Sequence, residues 1–219
     1  MTHHLLSFWH ELTNQGLDRT PQQWFDALAY QLMNNLRLTA GRSSYRITEC
    51  EFYYSDIDHA DPFIHAEPQQ MTAGQLYLNK AGGLDITFGN AAYPAFGGIL
   101  IRGIRNLETG KYINQITKIT AEMFRALGNI LQERGGIYLE DAYTGAFTEE
   151  KPIQTTRVGL QEEKDGDRAY IDLPYRYIVE LTREHQFKGR EGVIKQLLKE
   201  GRMTPAEAKE ILDYNVTVA

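Results

Sequence analysis

Apolar residues recur at a helical spacing in four stretches of the chain. The first covers residues 20–36 and opens with Thr20-Pro21, where threonine is a common helix cap and proline suits the first helical position. Its apolar positions lie three or four residues apart, as on one face of a helix packed on a core: Trp24, Phe25, Leu28, Leu32 and Leu36. The other stretches predict helices over residues 115–134, around 193–199 and from Thr204 onward.

Short apolar runs between these helices predict strands. The runs lie at residues 45–54, 75–79, 84–88, 98–102, 157–160 and 176–181, with one more near Tyr138. A polar stretch over residues 55–73 contains two prolines and predicts a long loop, of a kind that often carries function. Because strands dominate the middle of the chain and helices flank them, the pattern favours an α+β fold with a curved, mostly antiparallel sheet.

The charge balance argues against a protein built to hold duplex DNA. The formal net charge is −6, the pI is about 5.6, and neither half of the chain has more Lys and Arg than Asp and Glu. Proteins that bind duplex DNA usually carry a basic surface, because phosphate contacts supply most of their non-specific affinity. The composition therefore gives no support to an activity on the intact duplex.

The single cysteine and the lack of long apolar runs narrow the cellular setting. Cys50 has no partner for an intrachain disulfide, which predicts a reducing compartment, namely the cytoplasm. No stretch approaches the roughly 20 consecutive apolar residues that cross a bilayer, so no membrane partner is expected. The sequence also contains no repeat and no convincing linker, which predicts a single domain over residues 1–219.

A cluster of polar residues starts in the strand at residues 45–54 and continues into the loop that follows. It consists of Glu49, Glu51, Tyr53, His59, Asp61 and His65. The first three alternate along one strand, so their side chains project from one face, and Cys50 projects from the other face as a small core residue. Two carboxylates on a buried face would repel each other and raise one pKa, whereas on an exposed face they would be ordinary surface charge. The residues alone leave both interpretations open.

Five segments form a pattern when they are taken in order along the chain. They are Thr48-Glu49-Cys50-Glu51-Phe52-Tyr53, Gly74-Gln75-Leu76-Tyr77, Leu100-Ile101-Arg102, Arg157-Val158-Gly159 and Pro174-Tyr175-Arg176-Tyr177-Ile178-Val179. This ordered set resembles the 3-methyladenine (alkyladenine) DNA glycosylase family. The resemblance implies a partly open barrel flanked by helices, with a glycosylase-like core over residues 20–180 and a helical extension over residues 190–219.

The resemblance also implies an activity and a set of roles. The activity is cleavage of the N-glycosidic bond of a damaged or modified base, as in DNA base-excision repair, without a cofactor. Glu51 would be the general base that activates water against the sugar C1′, and Arg102 would orient its carboxylate. Tyr53 would stack on the flipped-out base.

Further pocket positions follow from the same resemblance. The family places a histidine over the base, and spacing does not decide here between His59 and His65. Tyr77 and Asn79 fall at two other positions that would contact the substrate. Where the family has a tyrosine that wedges into the duplex, this chain has Gly82, and Asn79 replaces a stacking tyrosine. The expected substrate is therefore single-stranded nucleic acid or a free nucleotide.

Two alternatives stay open at this point. The same pocket could recognise a nucleobase or nucleotide without cleaving it. A metal-dependent hydrolase could instead use His59, Asp61 and His65, with Glu51 as a further ligand or base. Because this spacing matches no strong zinc pattern, no metal site is predicted.

Overall fold

The computed structural model describes residues 3–14, 19–128, 135–164 and 166–216. The chain packs into two compact units, Met1–Val179 and Glu180–Ala219. The predicted fold class is confirmed, because the first unit is built on an antiparallel nine-stranded sheet that curls into a half-barrel and carries helices beside it. The expectation of a single domain, with a core over 20–180 and an extension over 190–219, stays a prediction.

Over the described residues the elements are as follows. The helices are α1 (His3–Thr13), α2 (Pro21–Asn34), α3 (Ile116–Ala126), α4 (Asp167–Ile171), α5 (Arg190–Lys199) and α6 (Pro205–Leu212). The strands are β1 (Leu36–Ala40), β2 (Ser43–Ser55), β3 (Leu76–Leu78), β4 (Leu84–Thr87), β5 (Phe96–Asn106), β6 (Tyr112–Ile113), β7 (Ile137–Asp141), β8 (Ile153–Thr155) and β9 (Arg176–Ile178).

The sheet is organised around its two longest strands, β2 and β5. Its main order is β3-β4-β5-β2-β1-β7, and β6 pairs with β5. Strand β2 pairs with β1 near its start and with β9 over Glu49–Glu51, and β8 pairs with β9. The register between β2 and β5 shifts on either side of Glu49, where Arg102 falls between the paired residues Ile101 and Gly103. Such an irregularity can re-aim a side chain, and here it lies beside the cluster of carboxylates.

Helix α2 covers one face of the sheet and forms the main core with it. The predicted helix start is confirmed: the Thr20 hydroxyl accepts from the Gln23 N–H, and Pro21 is the first helical residue. The ring of Phe25 stacks on that of Phe52 with centroids 4.7 Å apart. Cys50 is fully buried in this core, as its alternation along β2 predicts. This side of the sheet is hereafter the apolar face.

Three of the differences from the sequence prediction concern the site or the ends of helices. The strand predicted over residues 157–160 is wrong, since β8 ends at Thr155 and the Val158 N–H bonds the Glu51 side chain instead of a neighbouring strand. Leu36 is predicted in a helix but starts β1, where it pairs with Asp141. The helix predicted over 115–134 ends at Ala126, and its residues 129–134 lie outside the described residues.

The second unit has its own small core. Ile194 of α5 packs with Ala208 and Leu212 of α6. The predicted cap at the start of α6 is confirmed, because the Thr204 hydroxyl accepts from the Glu207 N–H. In the part of the chain that the structure describes, every helix is too short or too polar to cross a bilayer.

Candidate functional site

A row of five side chains crosses the sheet on the side opposite the main core. Strand pairing places Tyr77 opposite Asp85, Asp85 opposite Leu100, Leu100 opposite Glu51, and Glu51 opposite Arg176. Residues directly opposite each other in antiparallel strands project from the same face. This side of the sheet is hereafter the polar face. It carries two carboxyl groups and a guanidinium within one row, although every member of the row is buried.

Glu51 lies at the centre of the row and is 0% exposed. Among the described residues, three groups donate to its carboxylate. The Tyr53 hydroxyl and the Arg102 Nη1 donate to Oε2 at 2.8 and 3.3 Å, and the Val158 N–H donates to Oε1 at 2.8 Å. These donors come from three separate segments of the chain, and together they hold the carboxylate in one orientation.

Arg102 bridges the two glutamates of β2. Its Nε lies 3.1 Å from Glu49 Oε1, while Arg176 Nε contacts the same oxygen at 2.8 Å. Burial raises the pKa of Glu49, against the opposing charges of Arg176 and Arg102. Burial alone would lower the pKa of Arg102, but the charges of Glu51 and Glu49 outweigh it and raise that pKa. The Arg102 side chain keeps 16% of its surface exposed, so this ion cluster reaches solvent through it.

Tyr53 makes a charged contact through its hydroxyl and another through its ring. The hydroxyl is bonded to Glu51, and the Arg157 guanidinium lies over the ring at 4.6 Å from its centroid. Burial and the neighbouring charge of Glu51 raise the pKa of Tyr53 well above its ordinary value. One face of the ring is thus covered by Arg157, and a stacking role for Tyr53 would use the other face.

Asp85 is a site residue that the sequence analysis missed. Burial raises its pKa to about 7; the hydrogen bond from Asn79 opposes that rise, and the charge of Glu51 adds to it. The Asn79 amide nitrogen donates to Asp85 Oδ1 at 2.9 Å, so the structure makes Asn79 a partner of this carboxyl. The signal that could have revealed it is an acidic residue between Leu84 and Ile86 in an otherwise apolar strand.

The structure separates the two candidate histidines. His65 Nδ1 lies 3.4 Å from the Tyr77 hydroxyl, which brings this exposed histidine to the end of the row on the polar face. His59 instead stacks on Tyr54, a residue of the main core, with centroids 6.0 Å apart, and its Nε2 lies 3.5 Å from the Tyr175 hydroxyl. Burial lowers the pKa of His59. Of the pair, His65 is therefore the histidine that shares the face of Glu51 and Asp85.

The proposed metal ligands do not converge. Both oxygens of Asp61 accept hydrogen bonds from Arg157, at 2.5 and 3.3 Å, and both side chains of this ion pair are fully buried. Across the described ranges, no group of three His, Cys, Asp or Glu side chains could hold a metal ion. Because Arg157 donates to both oxygens of Asp61, this carboxylate does not complete a metal site with His59 and His65.

Comparison with known proteins identifies a related protein, but the comparison does not identify an activity. No protein-family model matches the chain. A protein of Acanthamoeba polyphaga mimivirus, called Uncharacterized protein L759, is 28% identical over 222 residues, which cover 85% of this chain and 98% of the viral protein. That name states no function for the viral protein.

Proposed function

We propose that this protein hydrolyses the N-glycosidic bond of a modified nucleobase with a water molecule activated by Glu51. The observation that carries the proposal is the contact of Glu51 with Arg102, because a carboxylate held by an arginine on a polar, buried face can be kept in place as a base. The ordered resemblance to the alkyladenine glycosylases supports the same chemistry. The proposal needs no cofactor.

Each side chain of the site has a role in the proposed reaction. Water attacks C1′ of the sugar while the bond to the base breaks, and Glu51 accepts a proton from that water. The sugar passes through a transition state with positive charge, which a nearby carboxylate stabilises. Arg102 and the Tyr53 hydroxyl keep Glu51 directed at the water. Tyr77 and His65 are proposed to contact the base.

The form of the substrate follows from charge and from the missing wedge. The chain has no excess of basic residues to contact the phosphates of a duplex, and Gly82 offers no side chain to fill the gap left by an extruded base. We therefore propose single-stranded nucleic acid or a free nucleotide as the substrate. The single cysteine, Cys50, is free and buried, which suits action in the reducing cytoplasm.

The test is release of free base from a panel of modified substrates. Alkylated and deaminated bases would be offered in duplex, single-stranded and nucleoside form to wild type, Glu51→Gln and Glu49→Gln. Glu49→Gln is the matched control, because it removes the same charge from the same ion cluster. We expect Glu51→Gln to lose about 100-fold or more in rate and Glu49→Gln to lose far less. Equal losses in the two variants would contradict the role of Glu51.

A second candidate is a module that binds a nucleobase without cleaving it. The observation that favours it is the full burial of Glu51, whose two carboxylate oxygens both already accept hydrogen bonds. Such a protein would show saturable binding of a nucleoside and no release from any substrate form. Binding weakened by Tyr53→Ala, together with no turnover in the wild type, would select this candidate over the hydrolase.

A further inference from the structure

We propose that a cleft in the second unit binds a segment of a partner protein in which lysine or arginine alternates with apolar side chains. The cleft has a volume of about 620 Å³, and all the residues that line it belong to the unit Glu180–Ala219. Ligand sites commonly have volumes of about 300–1,000 Å³. This C-terminal cleft shares no residue with the proposed hydrolase site, so neither proposal depends on the other.

Helix α6 forms one wall of the C-terminal cleft. Its residues Ala208 and Leu212 are buried in the small core with α5, whereas Glu207, Glu210 and Ile211 line the cleft. Residues three and four positions apart lie on the same face of a helix, so these last three form one stripe. Helix α6 therefore has an apolar face packed on α5 and a second face that combines carboxylates with an apolar side chain.

Three apolar side chains line the C-terminal cleft, and each of them keeps part of its surface in water. Leu181, Met203 and Ile211 pack against the small core of the second unit but are only partly buried. A unit this short buries a small share of its surface on folding. An apolar side chain from a partner would cover these three residues and extend the small core, and the burial would favour binding.

The rim of the cleft carries carboxylates that no cation neutralises. Glu184 and Glu210 are exposed, and among the described residues neither side chain has a hydrogen-bond or ion-pair partner. Glu207 accepts from the Thr204 N–H and hydroxyl at 2.7 and 2.8 Å, and these neutral donors leave its charge unbalanced. Three negative charges thus line the cleft without a bonded cation.

The two arginines at the cleft are paired with acids that lie outside its lining. Arg183 Nη2 lies 2.7 Å from Asp213 Oδ2, and Arg202 Nη1 lies 3.0 Å from Glu200 Oε2. Each pair is formally neutral, so the three glutamates determine the charge that a ligand meets. An anionic ligand would have to displace Asp213 or Glu200, whereas a cationic ligand meets carboxylates that are free.

Lysine and arginine side chains have both properties that the cleft selects. Their stems are apolar and can cover apolar surface while the charged end stays in water beside a carboxylate. A simple cation would leave Leu181, Met203 and Ile211 exposed, and a purely apolar molecule would leave the glutamates without a partner. A segment that alternates basic and apolar side chains satisfies both parts of the cleft, and complementary charge would favour it over other segments.

The test is the binding of short labelled peptides to the full chain, followed by fluorescence anisotropy. The probe is a peptide of alternating lysine and leucine. Two related peptides replace either its lysines by glutamate or its leucines by serine. We expect saturable binding of the probe, with an affinity lower by about tenfold or more for both related peptides. Added salt should weaken binding of the probe, because the glutamates at the rim are exposed to solvent.

Two pairs of charge reversals separate the cleft from the net charge of the protein. Glu184→Lys with Glu210→Lys should lower the affinity for the probe by about tenfold or more. Glu149→Lys with Glu162→Lys is the matched control, at exposed positions of the first unit, and should leave the affinity within about twofold. Both double variants change the net charge by the same amount, and circular dichroism checks that each keeps its fold.

Several results would overturn the inference. A wild type that shows no saturable binding of the probe would remove the site, and equal losses in the two double variants would reduce binding to net charge. Preference for the glutamate–leucine peptide would assign the cleft to its arginines. A wild-type dimer that dissociates on Glu184→Lys with Glu210→Lys would assign the cleft to a second copy of the chain instead of a partner protein.

Discussion

Phe52 and Glu51 are neighbours on β2 and equally buried, but they lie on chemically opposite faces of the sheet. On the apolar face, Phe52 stacks on Phe25 of α2 and is 0% exposed. One residue along β2, Glu51 is also 0% exposed but points into a row of charged groups. Burial of an apolar ring stabilises a fold, whereas burial of charge costs free energy unless each group is paired. Exclusion from water alone therefore does not mark an apolar core, and the buried charged groups make the polar face the place to look for chemistry.

The largest loss of stability is expected from a substitution on the apolar face. Phe52→Ala removes a ring that is packed against Phe25 and Tyr177, and the cavity it leaves cannot fill. We expect the free energy of unfolding to fall by about 3–5 kcal/mol. Denaturant unfolding followed by fluorescence or circular dichroism measures it. A loss below about 1 kcal/mol would show that this face is not the main core.

Breaking an ion pair on the polar face should lower the free energy of unfolding by nearly as much. Arg176→Met leaves Glu49 with a weaker partner in Arg102, and we expect a loss of about 3 kcal/mol in the free energy of unfolding. The double variant Arg176→Met with Glu49→Met removes both buried charges and should regain most of that loss. Denaturant unfolding of the three proteins tests it. Additive losses would contradict the pairing.

The pH dependence of stability provides a smaller and more selective test. The pKa of Asp85 is about 7 in the folded protein and about 4 when it is unfolded, so the folded state binds the proton more tightly. The stability that this group contributes is fully present below pH 4 and is lost as pH rises through 7. Between pH 5 and 8 we expect a loss of roughly 2–3 kcal/mol.

Asp85→Asn is the matched control for that titration. The amide stays neutral at every pH and can still accept from Asn79, so the variant should lack this part of the pH dependence. Unfolding curves of both proteins at pH 5 and pH 8 measure the difference. Parallel pH profiles would show that Asp85 is ionised in the folded protein and would contradict the raised pKa.

Local features of the fold were predictable from the sequence. The alternation along β2 placed Glu49 and Glu51 on one face and Cys50 on the other, because strand geometry repeats every two residues. The cap at Thr20 marked the start of α2 because its chemistry is local. The helical spacing wrongly extends to Leu36, because an apolar residue that follows a helical run continues that spacing although the chain has already turned into β1.

The rest of the site depends on pairings that are remote in sequence. Asp85 joins Glu51 only through the register of three strands, and Arg176 joins Glu49 from 127 residues away. The backbone N–H of Val158 carries no residue-specific signal, since any amino acid but proline supplies one. Arg102 was placed beside Glu51 by a family resemblance, not by a pattern of spacing.

The most direct test of the proposed hydrolysis is the rate at which Glu51→Gln releases free base, compared with wild type, from a modified single strand. The substitution keeps the shape of the side chain and removes its capacity to accept a proton from water. We expect clear release by the wild type and a loss of about 100-fold or more in a variant that still folds. Unchanged release by folded Glu51→Gln would contradict it.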